Sequence, residues 1–118
     1  MKTKLLKNKI MSQGVYDLRR KVISLIYEAK KLIDLPRIEI RVTDNHKTIL
    51  GVAAMGAKII WITEGMTASR SVVFHEILHA VFGQGHVNGC PLMAPKINDK
   101  LDAKTCDKLF LKYAGGGK

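Results

Sequence analysis

Arg70-Ser71-Val72-Val73-Phe74-His75-Glu76-Ile77-Leu78-His79-Ala80-Val81-Phe82-Gly83-Gln84-Gly85-His86 is the stretch that organises this 118-residue chain. It has the length and apolar content of a helix that stops at glycine. On such a helix His75 and His79, four residues apart, lie about 40° from each other around the axis, so both imidazoles leave one face. Glu76 sits about 100° from His75, beside that face, within reach of a water held by a metal but not itself a ligand. The opposite side carries Phe74, Ile77, Leu78 and Val81, which suits packing onto a sheet.

Catalytic zinc takes three protein ligands and keeps one position open for water. His75 and His79 supply two ligands from a rigid element. Gly83 and Gly85 make a chain reversal sterically cheap, and His86 is placed to supply the third. Zinc at such a site acidifies its water, and Glu76 would take that proton as general base and pass it to a leaving amine. The expectation is one zinc ion and hydrolysis of a peptide or protein substrate. His46 stands alone in a turn cluster, Thr43-Asp44-Asn45-His46, and is read as surface structure.

Upstream of the motif, the pattern alternates between helix and strand periods. From Gln13 to Ile33 the residues Val15, Leu18, Val22, Leu25, Ile26, Ala29, Leu32 and Ile33 recur at three- and four-residue steps, one face of an amphipathic helix. Pro36 follows, and the residue before a proline is pushed out of the helical region. Arg37 to Thr43 alternates strictly, with Ile38, Ile40 and Val42 on one side. Ile49 to Met55 is expected as a second strand weakened by Gly51, and Lys58 to Thr63 as a third, β-branched one. Thr67 or Ser69 is the candidate N-cap of the motif helix. A coil through Cys90-Pro91-Leu92-Met93-Ala94-Pro95 leads to a last helix, capped by Asn98 or Asp102 and running to Tyr113, with Ala103, Leu109, Phe110 and Tyr113 available for packing. The expected fold class is α+β, helices on one side of a small twisted mixed sheet, in a single domain over 1–118.

The residues from Gly51 to Pro95 resemble the metzincin clan of zinc peptidases, and within it the archaemetzincins. Those proteins carry His-Glu-x-x-His-x-x-Gly-x-x-His followed by a tight turn with a methionine beneath the metal. Here Phe82-Gly83-Gln84-Gly85-His86 is similar to the end of that motif, and Cys90-Pro91-Leu92-Met93 is similar to the methionine turn. The resemblance implies a minimal zincin-like fold, zinc on His75, His79 and His86, Glu76 as general base and Met93 as the floor of the site. It also implies that Ile49–Met55 is an edge strand able to pair with an extended substrate backbone.

The chain departs from the family in two places. His86 follows His79 by seven residues rather than six, so a bulge in the last helical turn or a wider glycine loop has to absorb one residue. Cys90 is the reserve ligand. Archaemetzincins also resemble one another in four cysteines that hold a structural zinc, whereas this chain has only Cys90 and Cys106, half a set, read as free thiols.

The net charge of +10 is unevenly spread. Residues 1–31 hold nine Lys/Arg against Asp17 and Glu28, while 65–95 hold one Arg70 and one Glu76. The positive field therefore belongs to a basic arm, 1–11, and the first helix, where nucleic acid is a secondary partner reading against ordinary solvated surface. The basic start lacks the apolar core of a signal peptide, and the apolar run Ile49–Thr63 is too short to span a bilayer. A cytoplasmic monomer without membrane association is the expectation, with a flexible tail at 115–118. The competing classes are a YbeY-type metal-dependent endoribonuclease, which fits the charge but lacks the glutamate, a DNA-associated SprT-like protease, and a non-catalytic zinc-binding module.

Overall fold

The computed structural model describes residues 13–43, 56–63, 68–96 and 100–115. The expected strand Ile49–Met55, His46, the candidate caps Thr67 and Asn98, the basic arm and the last three residues lie outside the described residues. The described elements run in the order α1 (Gln13–Lys30), β1 (Glu39–Val42), β2 (Ile59–Ile62), α2 (Arg70–Phe82) and α3 (Ala103–Tyr113). This is an α+β arrangement of three helices and two strands.

In α1, Val15, Val22, Leu25, Ile26 and Ala29 are buried, the face that the spacing predicts. The helix ends at Lys30, three residues earlier than its apolar repeat. There the backbone tightens, with Leu32 N–H bonding to the Ala29 carbonyl three residues back at 2.9 Å. Leu32 and Ile33 still pack on the core from that turn.

The strands β1 and β2 pair in parallel, Glu39 opposite Ile59 and Val42 opposite Ile62. Parallel neighbours require a crossover between them rather than a tight hairpin. The sequence suggests a mixed sheet, but among the described residues the pairing is parallel only. Alternation decides the faces: Ile60 and Ile62 are buried in the core with Ile40 and Val42 packed against it, while Glu39 and Arg41 are exposed on the other face.

Helix α2 is the hub, packing against α1, α3 and β2. Ser69 is its N-cap, its hydroxyl accepting from Val72 N–H at 3.3 Å. All ten residues from Ser71 to Ala80 are buried, so the helix is enclosed on both faces rather than on its apolar back alone. The Phe74 and Phe110 rings meet at 4.7 Å between centroids, joining α2 to α3. Asp102 caps α3 by accepting from Thr105 N–H at 3.0 Å. Phe110 and Cys106 carry the inward face of α3. Ala103 is exposed and takes no part in the packing expected of it. Arg70 completes the helix assembly: its guanidinium holds Asp107 of α3 through two bonds of 2.8 and 2.9 Å, stands 3.7 Å from Glu28 of α1, and lies over the Phe74 ring. Among the described residues no helix is long and apolar enough to cross a membrane.

Candidate metal centre

One helical turn places His75 and His79 side by side, and their Nε2 atoms come within 3.0 Å. The third histidine arrives from the loop after α2. One ligand atom from each of His75, His79 and His86 falls within 4.8 Å of the other two, and among the described residues this is the one such group that could hold a metal. His75 and His79 are buried, and His86 is exposed, so the cluster opens to solvent on the loop side. Cys90 is not part of the group.

The tautomers follow from the partners. His75 Nδ1 lies 2.7 Å from the Leu92 carbonyl, and His79 Nδ1 lies 2.6 Å from the Gln84 carbonyl. A carbonyl oxygen only accepts, so each Nδ1 carries the proton and donates it. In the neutral rings both Nε2 atoms then present lone pairs, and they face each other. Burial holds the rings neutral: it takes His75 down from 6.5 to about 4, against the pull of its bond to Leu92, with His79 and His86 pushing the same way. His79 is lowered as well, again chiefly by burial. Two lone pairs facing each other at this distance are what a cation placed between them would take up. Two nitrogens bound to one tetrahedral zinc at about 2.0–2.1 Å lie about 3.3 Å apart. The observed separation is a few tenths of an ångström short of that, and the donor set fits a metal ion.

Glu76 follows His75 on α2 and is 4% exposed. Burial pushes its carboxyl up to about 7. It lies about 100° from His75 and about 60° from His79 around the helix, beside the imidazole face.

The extra residue between His79 and His86 is absorbed at the helix end. In a regular α-helix the Gly83 N–H would bond to the His79 carbonyl four residues back. Here Gly83 reaches Leu78, five back, and Gln84 N–H also reaches Leu78 at 3.0 Å. The last turn is widened in the manner of a π-bulge, and Gly83 leaves it in the left-handed region at φ 64°. Gly85 does not take that conformation; its carbonyl accepts from the Gln84 side-chain amide at 3.1 Å. The widened turn leaves the His79 and Ala80 carbonyls free for partners outside the helix. Gly56 N–H takes the first at 3.0 Å and Lys58 N–H the second at 2.8 Å, so the approach to β2 is stitched onto the end of the ligand helix.

Met93 and Leu92 are fully buried in the turn after His86. That turn is closed by Val87 N–H to the Met93 carbonyl at 2.7 Å and Ala94 N–H to the Cys90 carbonyl at 2.9 Å. Met93 N–H points at the Cys90 sulfur at 3.4 Å, which gives that buried thiol a structural place in the turn. Cys106 is buried and unpaired, its thiol pushed up to about 12 by burial, and it is inert at neutral pH.

Sequence reading found every side chain of the cluster but missed the Leu92 and Gln84 carbonyls and the Gly56–Lys58 contact. Every residue has a carbonyl and most have an N–H, so no side-chain pattern marks those that will be used. Compared with protein-family models, curated proteins and solved structures, the chain gives no significant match to any of them, and the metzincin resemblance rests on the motif and its turn alone.

Proposed function

We propose that this protein is a zinc-dependent metallopeptidase in which His75, His79 and His86 hold one zinc ion and Glu76 is the general base. The observation that carries the reading is the pair of Nε2 lone pairs 3.0 Å apart, each ring fixed by a carbonyl behind it, with His86 joining them from the loop. Three imidazoles leave one tetrahedral position open, which is the arrangement of a catalytic rather than a structural site. When bound, zinc supplies Lewis acidity toward a carbonyl and toward a water.

The residues of the chain do the rest. The Leu92 and Gln84 carbonyls hold two imidazoles in the ligating tautomer, as outer partners of metal-binding histidines do. Met93 closes the turn that delivers the Leu92 carbonyl and contributes an apolar floor. Glu76, poised near neutrality by burial, accepts a proton from the attacking water and returns it to the leaving amine. A module kept only for structure would gain from a fourth protein ligand and has no use for a buried carboxylate beside the face.

The test is paired digestion by the full-length protein of a peptide library and of an RNA substrate, with zinc content measured on the same samples. The wild type should carry about one zinc per chain and cleave peptides. Glu76→Gln should keep the zinc and lose the cleavage. RNA cleavage that survives Glu76→Gln, with peptides left intact, would replace the peptidase by a metal-dependent endoribonuclease.

A further inference from the structure

Among the described residues the exposed large apolar side chains are two tyrosines, Tyr16 at 50% and Tyr27 at 60%, both on α1. They are eleven residues apart, which at 100° per residue brings them within about 20° of the same direction and about 16 Å along the axis. Between and beside them on this face stand Arg20, Ile23 and Lys30, each within about 40° of Tyr16. The two acids of the helix are turned about 100° or more away. Asp17 takes the amide of Gln13, and Glu28 is engaged by Lys31 and Arg70. The Lys30 ammonium lies 5.2 Å from the Tyr27 ring centroid, so ring and cation are presented together.

The face continues onto the sheet. A groove of about 270 Å³ between α1 and β1 is lined by Ile23, Tyr27, Lys30, Arg37 and Ile38 among others. Arg37 also lines a second hollow of about 460 Å³ with Glu39, Ala57 and Lys58. The one carboxylate there, Glu39, is held by Arg41 at 2.8 Å. Lys58 is the residue whose N–H is bonded to Ala80, so this end of the track lies at the C-terminal turn of α2.

We propose that single-stranded nucleic acid binds along this track, its bases stacking on Tyr16 and Tyr27 and its phosphates meeting Arg20, Lys30, Arg37 and Lys58. Cations without competing acids are complementary to a polyanion, and exposed rings at one angle are what unpaired bases stack on. A duplex has no free base faces to offer them. The inference stands apart from the metal centre and survives its failure, since it uses none of His75, Glu76, His79 or His86.

The experiment is fluorescence anisotropy on the full chain with labelled oligodeoxythymidine, oligouridine and a DNA duplex of equal length, over a salt series. Tyr16→Ala/Tyr27→Ala should weaken binding to the single strands by about 10-fold or more while changing duplex binding less. Both rings are exposed, so the variant keeps its fold, checked by circular dichroism. Arg20→Ala/Lys30→Ala should weaken every nucleic acid and lower the slope of log K against log salt by about 1.4 for the single strands. Single-strand affinity unchanged in the tyrosine variant overturns the proposal. So does binding to phosphatidylserine vesicles with none to the oligonucleotides, which would make the face a membrane contact.

Discussion

Removing the His75 imidazole is the most direct test of the metal centre, because the structure sets both the size and the sign of the effect. In the metal-free protein two neutral rings oppose lone pairs at 3.0 Å, and a ring that turns over its tautomer releases its bond to Leu92, which is buried, or to Gln84, which is part-buried. Losing such a bond costs about 1–3 kcal/mol. A metal ion removes the conflict without moving the backbone, since the nitrogens need to separate by only a few tenths of an ångström. Zinc at a thousand times its dissociation constant then stabilises the fold by about 4 kcal/mol. At about 2.1 cal/mol/K per residue, a 118-residue chain unfolds with roughly 0.25 kcal/mol/K, so the melting temperature should rise by about 16 °C. Differential scanning fluorimetry with zinc against chelator measures this. His75→Ala removes both the opposed lone pair and the bond to Leu92, and should show little of the zinc-dependent rise. An equal rise in wild type and variant, or none in the wild type, would refute a metal site at these histidines.

Two further outcomes follow from the same geometry. Burial raises the Glu76 carboxyl from 4.5 to about 7 in the folded chain, so the fold binds more protons than the unfolded chain between those values, and this contribution is present below 4.5 and lost as pH rises through 7. Metal-free Glu76→Gln should therefore match the wild type near pH 4.5 and be more stable by about 3 kcal/mol above pH 8, read from urea unfolding at several pH values; a gap that widens toward acid would contradict it. Gly83→Ala places a Cβ where nothing lies within 4 Å, so its cost is the left-handed backbone alone, about 1–2 kcal/mol, and zinc affinity should fall because the cap aims the loop bearing His86. Unchanged zinc affinity by isothermal titration would show that the cap does not position the ligand.

Much of the candidate site was legible in the chain because it is local. His75, Glu76 and His79 share one helix, and the 3.6-residue turn fixes their relation before any tertiary contact forms. The apolar face of α1, the cores of β1 and β2 and the Gly83 stop are local in the same sense, and capping chemistry narrowed the helix starts to two candidates each, of which Ser69 and Asp102 are the caps. Strand direction was not, because alternation is identical in parallel and antiparallel pairs, and only the tertiary pairing of β1 with β2 distinguishes them. Nor was the enclosure of α2, since a helix cannot show in its own sequence what packs over its polar face.

The seven-residue step from His79 to His86 marks the division. Its count and its glycines were determined by the sequence alone. That the excess is taken up by a widened last turn was decided by the tertiary structure, because the carbonyls this turn leaves free must find donors, and Gly56 and Lys58 bring them from a segment more than twenty residues away. The tautomers of His75 and His79 belong to the same class. The sequence supplied the imidazoles, but only the fold could set the Leu92 and Gln84 carbonyls behind them and so turn both Nε2 lone pairs toward one point.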